Sequence, residues 1–411
     1  MRAMRAPRRV AAAGRAAAAL GGLVAAGTLL MAQPPPKAPQ ASRREIVRAG
    51  FDLGLPFSPA VKAGGLVYVS GTMATDERGA WVGGDIRAQT RRVLETMASV
   101  LRAAGSDLSH VLSVTVYLAQ ASDFAAMNEV YGTYFRVDPP ARTTVVAGLV
   151  RPGALIEMSA VAVPRGGHRE VVHPEGWARS PSPYSYAVRS DDAVFLAGLV
   201  ARDAKTNAPV KGDVEAQVRA IMENARAILR AAGLGFEHVA SARVFLTEAG
   251  AREAMNRVYR EYFPSDPPAR ATVVTGLMSP DYLVEITFVA SSSARRVVGD
   301  VRPGAVLSPG VQAGNRLYVS GMLGATEETR GDAMRQTREA LARIGRVLEA
   351  GGFGWTDVAE ATVYLTDVAH YAVMNAAYRE VFPREFPARA SVRTGLVDPN
   401  GLVEIMVTAA R

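Results

Sequence analysis

Pro140-Ala141-Arg142-Thr143-Thr144-Val145-Val146-Ala147-Gly148-Leu149, followed by Leu155-Ile156-Glu157-Met158, is the stretch whose reading decides the fold. It returns as Pro268-Ala269-Arg270-Ala271-Thr272-Val273-Val274-Thr275-Gly276-Leu277 with Leu283-Val284-Glu285-Ile286, and again as Pro387-Ala388-Arg389-Ala390-Ser391-Val392-Arg393-Thr394-Gly395-Leu396 with Leu402-Val403-Glu404-Ile405. In every copy the glutamate follows the arginine by 15 residues. One spacing held three times marks an internal repeat, which must be found before any fold is assigned.

The surroundings repeat as well. Upstream lies a short apolar strand closed by glycine: Leu66–Gly71, then Val194–Gly198, then Leu317–Gly321. The period then turns helical. Ile86, Val93, Leu94, Met97, Val100 and Leu101 share one face between an Asp85 cap and a Gly105 stop, and matching helices run over about 213–232 and 332–350. Strands follow at 111–118, 239–246 and 359–365. A second helix, read as capped by Ser122 in the first copy, carries Met127-Asn128 and Tyr131; its sisters carry Met255-Asn256 with Tyr259 and Met374-Asn375 with Tyr378. Asp138-Pro139-Pro140 ends it, because proline disfavours helix in the residue before it. Two more strands, 143–149 and 155–163, complete the unit. Local reading of 149–155 joins them as a hairpin. Each unit of about 120 residues is thus an α+β layer with two helices on one face of a sheet. The uncovered faces are expected to meet as an internal pseudo-trimer.

The chain holds 411 residues, room for about three domains. The repeats are placed at 46–164, 170–291 and 297–411, with linkers near 164–173 and 291–301. Residues 1–32 read as a secretory signal: Arg2, Arg5, Arg8, Arg9 and Arg15 precede the apolar run 16–31. An uncleaved N-terminal anchor is the other reading. Residues 33–45, opening on Pro34-Pro35-Pro36, read as an extended linker. A periplasmic or secreted location is therefore expected, with no membrane contact once the leader is cleaved. Those five arginines supply most of the +8 formal charge, so the charge argues against a nucleic-acid partner. There is no cysteine, hence no disulfide and no thiolate chemistry. The five histidines lack ligand spacing, so no metal is expected. Gly83-Gly84 lacks a phosphate-loop pattern.

Taken together, the Val-Ser-Gly strand end, the Met-Asn-x-x-Tyr helix, the Pro-Ala-Arg turn and the Val-Glu-Ile strand resemble the RidA (YjgF-like) reactive-intermediate imine deaminases over nearly all of the chain from residue 46. The resemblance implies a chorismate-mutase-like fold, a trimeric arrangement supplied here by one monomer, and ligand clefts between the units. It also places another strand between the last two, against the local hairpin. It implies hydrolysis of 2-imino acids to 2-keto acids and ammonia without a cofactor. Arg142, Arg270 and Arg389 would bind the substrate carboxylate, and Glu157, Glu285 and Glu404 would position or activate water. Tyr184, Ser70, Gly71, Ser320, Gly321, Asn128, Asn256 and Asn375 would line the clefts.

The copies also depart from that pattern. The tyrosine position holds Tyr184 in the second copy but Phe57 and Leu307 in the others. The serine position holds Ser70 and Ser320 but Ala197 in the second. The cysteine that many members carry two residues after the arginine is Thr144, Thr272 or Ser391 here. A cleft shared by two repeats is expected to combine Tyr184 with Ser70 or Ser320. Two other readings compete: buried Arg–Glu ion pairs that hold the repeats in register, and a non-catalytic module whose degenerate clefts bind a small carboxylate or a partner protein.

Overall fold

In the first repeat, β1 (Glu45–Val47), β2 (Ala60–Ala63) and β3 (Leu66–Thr72) precede α1 (Ile86–Ala103), β4 (Val111–Leu118), α2 (Phe124–Tyr134), β5 (Ala141–Val146), β6 (Gly148–Leu149) and β7 (Ile156–Ala162). This is a computed structural model describing residues 44–49, 54–76 and 78–411. The expected leader, and the linker up to residue 43, lie outside the described residues. The second repeat comprises β8 (Glu170–Val172), β9 (Ala187–Arg189), β10 (Ala193–Leu196), α3 (Val214–Ala231), β11 (Val239–Leu246), α4 (Arg252–Tyr262), β12 (Ala269–Val274) and β13 (Val284–Ser291). The third comprises β14 (Arg295–Val298), β15 (Gly310–Ala313), β16 (Arg316–Leu323), α5 (Ala333–Ala350), β17 (Val358–Leu365), α6 (Tyr371–Val381), β18 (Ala388–Arg393), β19 (Gly395–Leu396) and β20 (Val403–Ala410). Both segments read as linkers carry a short strand, β8 and β14.

The sheets follow one plan. The first runs β1-β2-β3-β7-β4-β5. β4 pairs with β5 in parallel across the α2 crossover and with β7 antiparallel. The hairpin read at 149–155 therefore does not form: β4 lies between β5 and β7. A parallel pair needs a long connection, and α2 supplies it. The second helix starts at Phe124 behind a single turn over Ala121–Asp123, so Ser122 does not cap it. Asp85, Asp213 and Asp332 do cap the first helices, each side chain accepting an N–H three residues on.

Helices cover the outer face of each sheet and close one core per repeat. Val93, Leu94, Met97 and Leu101 of α1 are fully buried there. The inner faces meet, as expected. Tyr117, Phe245 and Tyr364 pack in one cluster with Val145, Val273 and Val392, so all three repeats share it.

The segment read as one strand over 143–149 breaks at Ala147. Its Gly148–Leu149 end crosses to the third repeat and pairs with β18, through Val392↔Leu149 and Arg393↔Gly148. Gly395–Leu396 likewise pairs with β12 of the second repeat, and the Gly276 carbonyl accepts from Val146 N–H at 2.9 Å. Each repeat thereby covers the exposed edge of the preceding one, closing a ring.

The shared axis is polar at one level. Residues in matching register are Thr115, Arg243 and Thr362, and beside them Ser113, Ser241 and Glu360; all six line a cavity of about 70 Å3. Arg243 Nη2 donates to Thr115 Oγ1 at 3.0 Å. Elsewhere Arg316 donates to both oxygens of Asp192 at 2.9 and 2.8 Å and to the Gly64 carbonyl, tying the three repeats together.

Candidate functional site

Within one repeat the arginine and glutamate do not meet. Arg142 lies on β5 and Glu157 on β7, with β4 between, which separates them by about 10 Å. The seams bring together groups from different repeats. Arg142 shares a seam with Glu285, Arg270 with Glu404, and Arg389 with Glu157, each pair within electrostatic reach. The seams are built alike. The carbonyl of the proline before Ala-Arg accepts a backbone N–H from the next repeat: Pro140 from Ser185, Pro268 from Ser308, Pro387 from Ser58, at 3.1–3.2 Å.

Each arginine is held by its own second helix. Beneath the guanidinium lies the face of the motif tyrosine, with ring centres 4.7, 4.8 and 4.9 Å away for Tyr131, Tyr259 and Tyr378. Asn256 Oδ1 accepts from Arg270 at 2.9 Å and Asn375 Oδ1 from Arg389 at 2.8 Å. Met255 and Met374 place sulfur against the same two groups. Met and Tyr, at i and i+4, share one helix face, and Asn at i+1 flanks it about 100° round the helix. Asn128 departs from its sisters: its Oδ1 has no partner.

These cations are deeply buried, at 4, 2 and 2% exposure for Arg142, Arg270 and Arg389. Among the described residues none of them forms an ion pair with a carboxylate within 4.0 Å. The competing reading of Arg–Glu ion pairs is thereby corrected. Among the described residues each guanidinium also keeps a buried nitrogen without a hydrogen-bond partner, at Arg142 Nη1, Arg270 Nε and Arg389 Nε. A buried, unpartnered donor on a cation is costly, and an incoming anion relieves that cost.

The glutamates are as buried, at 2, 5 and 3% for Glu157, Glu285 and Glu404. Burial pushes each carboxyl up to about 8. The backbone amide of Ser391, Thr144 or Thr272 and the facing arginine pull it back only in part. At neutral pH these groups are therefore mainly protonated. Each rests on the glycine that ends the first strand. A methyl on Gly71, Gly198 or Gly321 would lie 2.8 Å from the carboxyl carbon of Glu157, Glu285 or Glu404 and would overlap Oε1. From the other side a buried glutamine fixes the glutamate strand to the first helix. Gln89 Oε1 accepts from Leu155 N–H at 2.9 Å, as Gln217 does from Leu283 at 2.9 Å and Gln336 from Leu402 at 2.7 Å.

The expected pairing of Tyr184 with Ser70 or Ser320 does not occur. Both positions belong to the same repeat and enter the same seam. Tyr184 therefore faces Arg142 at 5.7 Å beside Ala197, while Ser70 sits with Phe57 against Arg389. The serine hydroxyls act as seam clamps. Ser70 Oγ accepts from Arg389 N–H and donates to the Ser58 carbonyl; Ser320 does the same for Arg270 and Ser308.

The residue opening the second helix was not singled out from the sequence, yet it reaches the arginine. The Phe124 ring lies 5.7 Å from the Arg142 guanidinium, and Tyr371 Oη accepts from Arg389 at 3.3 Å. The seam between the third and first repeats opens into a cavity of about 1520 Å3, lined by Phe57, Ser70, Gly71, Glu157, Tyr371 and Arg389 among others. Among the described residues no group of three or more His, Cys, Asp or Glu is placed to hold a metal ion. No helix among them is long and apolar enough to cross a membrane.

A family model described as endoribonuclease L-PSP matches residues 52–164, 178–292 and 300–411. A RutC family protein of Pyrococcus abyssi is 45% identical over 108 residues, 26% of this chain and 85% of that protein. One from Pyrococcus horikoshii is 45% identical over 108 residues, 26% of this chain and 86% of that protein. Among solved structures, the YjgF gene product of E. coli is 27% identical with a TM-score of 0.28, over 29% of this chain and 99% of that one.

Proposed function

The chain belongs to the endoribonuclease L-PSP family, which includes the RidA and YjgF proteins, and from that premise we propose that its seams hydrolyse small 2-imino acids, or their enamine tautomers, to 2-keto acids and ammonia. Family membership carries a small-molecule-related function. The reaction rests on one observation. In every seam a buried guanidinium faces a buried glutamate from the next repeat, whose carboxyl burial pushes up to about 8, and among the described residues the guanidinium has an unused N–H and no ion pair joins the two groups.

The arginine takes the substrate carboxylate, for which a planar cationic fork is suited. The neutral glutamic acid donates its proton to the enamine β-carbon or the imine nitrogen, giving an iminium ion and a glutamate anion. Water then adds to the iminium carbon and passes a proton to that anion. The carbinolamine nitrogen takes that proton back, the C–N bond breaks, and ammonia leaves as the hydroxyl passes its proton to the glutamate anion and the carbonyl forms. Glutamic acid is restored and no redox partner is consumed. The amide that holds each carboxyl, and the glycine beneath it, fix where that proton is delivered.

The test is ammonia release from freshly generated 2-iminopropanoate. A Glu157→Gln/Glu285→Gln/Glu404→Gln variant should lose rate by about 10^2–10^4-fold, the usual scale for a positioned proton donor. Equal rates in the two proteins would end this reading. The second reading is a carboxylate-binding module without turnover. It is favoured by the divergence among seams, none of which joins Tyr184 to a serine. Binding of 2-keto acids with no ammonia release would establish it. Export to the periplasm or beyond is proposed on the leader pattern of residues 1–32 alone, and N-terminal sequencing of the mature protein tests it.

A further inference from the structure

The three seams differ most at the first residue of the second helix. Phe124 and Tyr371 show that this position faces the arginine of its own repeat. In the second repeat the position is Arg252. Phe124 packs on the first core and Tyr371 on the third, whereas the Arg252 side chain is exposed and, among the described residues, makes no hydrogen bond or ion pair. Its charge reaches both Arg270 and Glu404, so it stands at the mouth of that seam. One helical turn plus a turn further on, Arg260 also acts on Arg270 while bonding the Gly304 carbonyl; the matching position in the first repeat is Gly132. On the facing wall, the place of Tyr184 and Phe57 is taken by Leu307, so no aromatic ring there shields the cations.

We propose that the seam between the second and third repeats selects substrates with a second anionic group, typically the imines of acidic amino acids, with Arg270 holding the 1-carboxylate and Arg252 the distal one. This rests on the imine-deaminase reading of the same seam and adds its substrate class. A monocarboxylate leaves Arg252 in water, where it costs nothing but gains nothing. A dicarboxylate gains a charge-assisted bond at Arg252 that the aromatic residues at this position in the sister seams do not offer, worth about ten-fold or more in affinity. At the same position the phenylalanine of the first seam and the tyrosine of the third carry no charge.

Titration calorimetry of the full chain with 2-oxoglutarate and with 2-oxobutanoate, as stable product analogues, tests the assignment. One site per chain should bind 2-oxoglutarate about ten-fold or more tightly than it binds 2-oxobutanoate. Arg252→Tyr, which installs the third repeat's residue on an exposed helix start, should abolish that preference. Arg252→Lys should keep part of it. Equal affinities in the wild type, or a preference that survives Arg252→Tyr, would overturn the assignment while leaving the deaminase reading standing. Binding of neither acid would remove both.

Discussion

Replacing a seam glutamate by its neutral isostere should make the protein more stable at neutral pH while silencing that seam. The carboxyls of Glu157, Glu285 and Glu404 sit at about 8 in the fold against 4.5 for the free side chain. The folded state therefore holds each proton more tightly than the unfolded chain does. Stability is unaffected by these groups below pH 4.5, falls as pH climbs from there toward 8, and levels off above. At pH 7 the difference amounts to about 3 kcal/mol for each glutamate, from roughly 1.4 kcal/mol per pH unit. Glutamine carries no such liability. Urea unfolding followed by far-UV circular dichroism, at steps between pH 4 and 8.5, should show wild type and Glu157→Gln coinciding near pH 4. They should then diverge in favour of the variant by about 3 kcal/mol at pH 7. Every other titrating group is common to both proteins, so the difference curve isolates the one carboxyl. Parallel curves, or a variant less stable than wild type at pH 7, would refute the claim that burial keeps this group protonated.

Gly321→Ala should force Glu404 off its seat, because the new methyl would also crowd Ala271 Cβ at 2.9 Å. A loss of about 1–3 kcal/mol in thermal unfolding is expected, with reduced turnover in that seam. Asp192→Ala strips the carboxylate from Arg316, whose side chain is only 4% exposed. Leaving that cation buried should cost about 3–5 kcal/mol in urea unfolding, and an effect under 1 kcal/mol would show that solvent reaches it. Arg338→Ala, by contrast, breaks an exposed pair with Glu380 between α5 and α6 and should change stability by less than about 1 kcal/mol.

Much of the architecture was legible because it rests on local periodicity. The capped first helices and the strands over 111–118 and 239–246 follow from alternation, caps and glycine stops, and they appear where the pattern puts them. The 15-residue spacing did not show which repeats would supply each seam. Fifteen residues join Arg142 to Glu157 along the chain, but the intervening β4 holds them apart, and their partners lie across seams. The expected pairing of Tyr184 with a serine of another repeat fails for a different reason. A tyrosine loop and the strand after it travel together, so a departure at one is not repaired by the other. Gly148–Leu149 looked like the end of a strand because nothing in its sequence says which edge it will join. Met-Asn-x-x-Tyr served as a family signature, while its physical role as cradle for the arginine was readable from its single-turn spacing.

The polar level on the central axis bears on whether the three units could stand in for one another. Thr115, Arg243 and Thr362 occupy equivalent places there, with Glu360 beside them where the other repeats have serine. A ring assembled from three copies of the middle unit would crowd three guanidiniums around one point with no acid among them. One assembled from the last unit would gather three carboxyls in the same confined space. The three units are therefore not interchangeable: at the hub each depends on two companions of different chemistry.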